Sequence, residues 1–236
     1  MNCRVFVILS LLAVVCVARP AEATPLAPTD DAFGYQFLPA FNMNSPPFGA
    51  FLPAGLTTTG HSTRSVLAFD VASLGLTSAE VVSASLDLYV ISTEATTFGV
   101  SPSAANPITV NLSALGAGAW DETTVTDGSI PAVGAQYDQL TIDAINQTVS
   151  FDVTALVKDW LDGTVTNNGL ILEGDTPVGG SPDWIYAVFA SKDNGTVPLP
   201  QLTVVEVPEP ASAWLALVAL PALAWLGRRR LGAKQA

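Results

Sequence analysis

Cysteine is almost missing from this chain. The only two, Cys3 and Cys16, fall within the first 16 of 236 residues. Beyond them there is no thiolate nucleophile, no disulfide and no cysteine-based metal site. Histidine is scarcer still, with His61 alone, so a histidine-rich metal centre is excluded. Basic residues are the third absence. Between residues 24 and 206 there are only Arg64, Lys158 and Lys192 against nineteen acids, a formal charge of −16. That balance disfavours nucleic acid, anionic lipid headgroups and direct capture of a polyanionic sugar. It suits an acidic, well-solvated extracellular domain. Without disulfides, stability must come from sheet packing, an arrangement more ordinary for an exported bacterial protein than for a eukaryotic secreted one.

What the middle lacks in apolar length is concentrated at the two ends. Met1–Arg4 is a short basic start, and Val5–Ala18 is an apolar run too short to span a bilayer. Pro20 breaks it, and Ala21-Glu22-Ala23 has the small-x-small pattern of a signal-peptidase site. The expected signal peptide is therefore 1–23, with Thr24 as the mature N-terminus. Ala13-Val14-Val15 before Cys16 is a poor lipidation signal. At the other end, Pro208-Glu209-Pro210 precedes an apolar stretch and then Arg228-Arg229-Arg230. A helix over residues 211–227 would rise about 25 Å, slightly less than a hydrocarbon core of about 30 Å. Trp214 and Trp225 stand near its ends, where interfacial aromatics belong. The arginines would stay cytoplasmic, which places the acidic middle outside the inner membrane.

In its order of elements, the segment 207–236 resembles the PEP-CTERM sorting signal of Gram-negative bacteria. The resemblance implies recognition by an exosortase, cleavage near Pro208-Glu209-Pro210, loss of the helix and display at the cell surface or in the matrix of a biofilm. A plain uncut single-span anchor is the other reading of the same residues.

Residues 24–206 are expected to form one all-β domain. Short strand-like runs recur between Gly, Pro, Asn and Asp: 65–71, 108–112, 139–143, 148–153, 169–172, 184–190 and 201–205. The clearest is 83–91, where Ala84, Leu86, Leu88 and Val90 alternate with Ser85, Asp87 and Tyr89, giving one buried and one wet face. The spacing predicts a jelly-roll-like antiparallel β-sandwich. One segment breaks the pattern. Asp152 or Thr154 starts, and Gly163 ends, a short helix with Leu156, Val157, Trp160 and Leu161 on one side.

The runs Arg64–Asp70, Ser83–Val90, Trp120–Thr126, Ser150–Trp160, Asn167–Leu172 and Phe189–Ser191 together resemble the DNRLRE family of β-sandwich domains, some of which are carbohydrate-binding modules. The resemblance spans residues 30–205 and implies the fold. It also implies an extracellular polysaccharide as a possible partner, although the basic residues that would clamp an acidic sugar are nearly absent.

Catalysis has little to build on. His61 stands in a Gly/Thr/Ser-rich segment with no nucleophile elbow beside it. No carboxylate pair is marked out for glycoside hydrolysis. Calcium is the more natural cofactor for acidic loops, with Asp30, Asp31, Asp121 and Glu122 as candidate ligands. Trp184 and Tyr186, on one face of the strand at 184–190, are candidate rings for sugar stacking, with core packing as the competing role. The function expected is a non-catalytic surface or matrix protein, processed by signal peptidase and exosortase and carrying a structural or adhesive sandwich. A calcium-dependent carbohydrate-binding module acting on exopolysaccharide is the alternative, and a polysaccharide hydrolase or lyase the remote one.

Overall fold

The computed structural model describes residues 21–46, 48–56, 61–92, 100–175 and 185–207, and among these described residues eleven strands, one α-helix and short 3-10 turns follow each other. The strands are β1 (Ala23–Leu26), β2 (Asp30–Tyr35), β3 (Phe51–Leu56), β4 (Ser62–Ala68), β5 (Val81–Ile91) and β6 (Ile108–Leu115). They continue as β7 (Val133–Ile142), β8 (Gln147–Asp152), β9 (Leu170–Gly174), β10 (Tyr186–Ala190) and β11 (Gln201–Glu206), with α1 (Thr154–Asp162) after β8. The strand path runs β1-β11-β5-β10-β3-β4-β9-β6-β7, with β2 beside β4 and β8 beside β5. Pairings between these strands are antiparallel. The fold is thus the all-β sandwich that the short, evenly punctuated runs predict.

β3 is where one wall turns into the other. It pairs with β10 from Phe51 to Gly55 and meets β4 only at Gly55 and Leu56. Neither Pro53 nor Gly55 suits an ordinary strand, which is why this strand escapes a reading by propensity. Pro53 gives its carbonyl to Ser65 Oγ at 2.8 Å, so that edge asks for no ladder N–H from it. At Gly55 an added Cβ would stand 2.1 Å from Tyr186 Cδ1 and 2.7 Å from the Ile185 carbonyl oxygen. Only glycine lets the Tyr186 ring lie this close to β3.

The main core lies between the walls. Leu86, Leu88, Phe151, Phe189, Leu202 and Val204 meet Leu67, Val110, Leu112, Leu170 and Leu172 in it. Burying each such side chain fully is worth about 1.5–3 kcal/mol relative to exposure. α1 closes the core with Leu156, Val157 and Trp160. Its C-terminal end follows the sequence signal, whereas the N-cap is Val153, which makes no side-chain cap hydrogen bond, rather than Asp152 or Thr154. Asp152 Oδ1 accepts the Thr154 N–H at 2.9 Å, and Gly163 ends the helix at φ 71°.

Two outer faces carry smaller cores of their own. The segment 116–130 lies over the face of β2, β4 and β9 that turns away from the main core, where Val125, Ile130 and Trp120 pack on Ala32, Val66, Leu115 and Ile171. The segment 36–50 covers the outer side of β10, where Met43 and Phe48 pack with Phe33, Tyr186 and Val188. Residues Ala23–Glu206 form a compact unit. Its ends meet, because β1 pairs with β11 from Ala23 opposite Val205 to Leu26 opposite Leu202.

Candidate functional site

Among the described residues, the outer face of β5 keeps a wet stripe that neither covering segment hides. β5 is flanked there by β11 on one edge and β8 on the other, so residues fall in cross-strand rows. Thr203, Ser85 and Asp152 form one row, and Gln201, Asp87 and Ser150 the next. Tyr89 stands opposite Thr148 beyond them. Directly opposed Cβ atoms in such rows are about 4.5–5.5 Å apart, so the face is a continuous polar floor. Every second residue of β5 belongs to the core (Leu86, Leu88, Val90). That alternation fixes the others to the outside.

At one end of this floor lies a groove of about 400 Å³. Asp87, Tyr89, Thr148 and Gln201 line it from the sheet, and Pro198, Leu199, Pro200 and Ala27 wall it. Leu199 is 47% exposed. The prolines fix their own backbone dihedrals, so this wall is stiff without a strand to hold it. The lining sets an apolar ring surface beside hydrogen-bonding groups. The Tyr89 ring offers an apolar surface with a polar tip. Asp87 accepts hydrogen bonds, Gln201 both donates and accepts, and Thr148 supplies a hydroxyl. Asp87 is the single carboxylate in the lining, which leaves a two-carboxylate glycosidase mechanism without its second group.

The acids that the sequence suggests for calcium are distributed differently. Asp31 and Glu122 do come together. Asp31 donates its main-chain N–H to Glu122 Oε2 at 3.2 Å, and its Oδ2 accepts the Lys192 N–H at 2.6 Å. The place a cation would take beside Glu122 is held by the Lys192 ammonium, 3.0 and 2.9 Å from the two carboxylate oxygens and 3.6 Å from Asp193. Burial alone would pull that ammonium down. The hydrogen bond and charge of Glu122 outweigh it, and Lys192 is held above the usual lysine range. Asp121 is exposed and accepts the Thr123 N–H and hydroxyl in its own turn. That bonding holds its carboxyl below the usual range. Asp30 alternates to the other face of β2. Among the described residues no three acidic or histidine side chains converge in a way that could hold a metal ion. The four-residue calcium set is therefore corrected to a lysine-centred charge cluster.

Tyr186 is corrected as well. It is 2% exposed, packed with Phe33, Met43 and Val188 under the segment 36–50. Burial, then the neighbouring Tyr35, pushes its hydroxyl up to about 12. A ring enclosed in this way offers no face to a sugar. Trp184, the other suggested ring, lies outside the described residues, as do Pro208, Glu209, Pro210, Arg228, Arg229 and Arg230. Ala21 precedes the first strand, Ala23 begins it, and Thr24 hydrogen-bonds Glu206 Oε1 at 3.2 Å. His61 stacks on Phe37, ring centroids 4.0 Å apart.

Residues 52–206 match carbohydrate-binding module family 96. The chain belongs to that family. The match takes in β3 to β11, and with them every groove residue except Ala27. It leaves β1 and β2 outside. No curated protein is similar enough to match. Within this carbohydrate-binding module, Asp87 and Tyr89 were visible beforehand as wet positions of β5. Thr148 and Gln201 lacked a signal of their own, because only pairing brings them beside β5.

Proposed function

We propose that this module binds a neutral extracellular polysaccharide, without cleaving it, in the groove over β5. One observation carries the reading: the β5 face combines a partly exposed tyrosine ring with Asp87, Gln201 and Thr148 in one open groove, within a family of carbohydrate-binding modules. Sugar rings present apolar C–H faces and polar rims, and such a lining offers a partner to each. The charge of −16 over residues 24–206 repels polyuronates and sulfated glycans.

The ends give the module its address. The pattern Pro208-Glu209-Pro210, apolar run, Arg228-Arg229-Arg230 supports export through a signal peptide, sorting by an exosortase and display on a bacterial surface or in its matrix. The module would there fasten exopolysaccharide to the cell.

Affinity electrophoresis of the full-length chain in detergent, in gels containing xylan, hydroxyethyl cellulose, dextran or alginate, tests the binding. Retardation by at least one neutral polymer, with none by alginate, is the expected result. Mobility unchanged in every gel would overturn the reading. Mass spectrometry of the protein recovered from cells tests the address, with termini expected at Thr24 and near Pro208–Ser212.

A further inference from the structure

A second groove, of about 360 Å³, lies in the segment 116–130, lined by Ala119, Trp120, Asp121, Thr124, Val125 and Ser129. It sits over the outer face of β4 and β9, since Trp120 packs on the cluster of Val66 and Ile171. Leu67, Leu170 and Leu172, their neighbours in sequence, point into the main core, and so do Leu86 and Leu88 behind the first groove. The core therefore separates the two grooves, which open from opposite outer faces of the sandwich.

The second groove repeats three features of the first from unrelated residues: one aromatic ring, one carboxylate and a threonine. Trp120 is half-buried, and its Nε1–H donates to the Asn168 carbonyl at 2.8 Å. Asn168 is fixed in turn by its Nδ2–H donating to the Gly116 carbonyl at 2.9 Å. The indole is thus held in one orientation before any ligand arrives, and a preordered ring loses less entropy on binding. The Thr123 hydroxyl and N–H hold the Asp121 carboxyl below the usual range. A carboxylate has about four acceptor positions, so bonding to Thr123 does not exhaust it. Thr124 adds an exposed hydroxyl at the rim, and Ser129 lines it with its Oγ accepting the Thr126 N–H at 2.8 Å and donating to the Thr126 carbonyl at 3.2 Å. The lining contains no cation and no second carboxylate. A neutral sugar therefore suits it better than a charged one, and binding better than cleavage.

We propose that Trp120, Asp121, Thr124 and Ser129 form a second, independent site for neutral glycan, so that one module bridges two polysaccharide chains. This rests on the reading of the β5 groove as a glycan site. Two sites on opposite faces cannot both engage one straight chain, so the natural outcome is cross-linking. On a polymer network, bivalence raises retention by about 10²–10⁴ over one site.

Hydroxyl-radical footprinting of the full-length chain, with cellohexaose, xylohexaose, maltohexaose and mannohexaose as probes, reads the two rings separately. With at least one probe, oxidation of Tyr89 and of Trp120 should each slow by about threefold as their faces are covered. In Tyr89→Leu the Trp120 protection should persist. In Thr124→Tyr, an exposed substitution that fills the second groove, the Tyr89 protection should persist. Light scattering from soluble xylan or hydroxyethyl cellulose should rise with the wild type and with neither variant. Protection of Tyr89 alone would overturn the second site and leave the first standing. Protection of Trp120 alone would overturn the β5 groove and, with it, the bridging. Loss of both protections in Tyr89→Leu would show a single connected site and overturn the inference. No protection with any probe would overturn both readings.

Discussion

Asp31 and Lys192, 161 residues apart in sequence, meet through one bond: the lysine N–H donates to Asp31 Oδ2 at 2.6 Å, while the ammonium turns to Glu122. Asp31 Oδ1 is buried with no partner among the described residues. Burial above all, with Asp193 and Glu122 adding to it and Lys192 opposing, pushes the Asp31 carboxyl up from 3.8 to about 7. A carboxyl raised in the folded state holds a proton that the unfolded chain has released. Its contribution to stability is complete below about pH 4 and is lost as pH rises through about 7. Asp31→Asn keeps an acceptor for Lys192 and removes the titration. The variant is expected to melt at a higher temperature than the wild type at pH 8, with the gap closing or reversing at pH 4. Thermal melts at the two pH values decide it, and a gap independent of pH refutes it.

Arg64 is the cation of the second charge cluster. Its Nε and Nη2 donate to Asp127 Oδ1 at 3.2 and 2.8 Å, and Nη2 also donates to the Asp127 carbonyl at 3.0 Å. Burial raises the carboxyl of Glu173, its partner across β4 and β9, while Arg64 holds it down. The guanidinium therefore ties the segment 116–130 to the wall beneath it. The pair keeps some solvent contact, so Arg64→Ala is expected to cost about 1–2 kcal/mol rather than the full penalty of a buried pair. Arg64→Lys should recover only part of that, because an ammonium cannot reproduce the fork. Urea unfolding of the three proteins provides the comparison.

Gly55 predicts a steric failure. A methyl placed there would overlap the Tyr186 ring and the Ile185 carbonyl. Gly55→Ala should destabilise by about 1–3 kcal/mol, the usual cost of overpacking. Adding Tyr186→Leu removes the ring but not the carbonyl contact. The double variant is therefore expected to lose less than the sum of the two singles, by about 0.5 kcal/mol or more. Strict additivity in denaturant melts would show that the ring is not what Gly55 accommodates.

The β5 groove makes a prediction that separates binding from folding. Tyr89 is half-buried beside Ile91 and Val188, so Tyr89→Leu keeps apolar bulk and removes the ring face and hydroxyl. Affinity for the bound neutral glycan should fall about tenfold, a loss near 1.4 kcal/mol, with the melting temperature almost unchanged. Gln201→Ala, exposed on the neighbouring strand, should weaken binding by a smaller factor. Isothermal titration and melting curves on the same samples separate the two effects.

Much of the architecture could be read from the chain because β-structure writes itself locally. The wet positions Ser85, Asp87 and Tyr89 and the helix ending at Gly163 needed no tertiary knowledge. β2 and β3 were hidden for an equally local reason. Asp30-Asp31 and Pro53-Ala54-Gly55 carry turn signals, and only tertiary partners explain them: Lys192 for Asp31, Ser65 for Pro53 and Tyr186 for Gly55. The same limit applied to Tyr186. Alternation put Tyr186 on the strand face opposite Ile185 and Phe189, and left open whether that face is covered. Nothing periodic announced that Met43 and Phe48, from a Pro-rich segment, would close over it. Sites assembled from paired strands, such as Thr148 beside Tyr89, leave no trace in either segment alone.

The meeting of β1 and β11 has a mechanical consequence. Under the proposed function, a tether beyond Val207 and a glycan seated at Gln201 would grip the same strand from its two ends. Tension between them runs along β11 and is shared in shear by its ladders to β5 and β1, with many hydrogen bonds loaded together rather than peeled in turn. The rest of the sandwich lies off that line of force. The strand that ends the domain would thus double as the shortest strap between a bound glycan and a surface anchor.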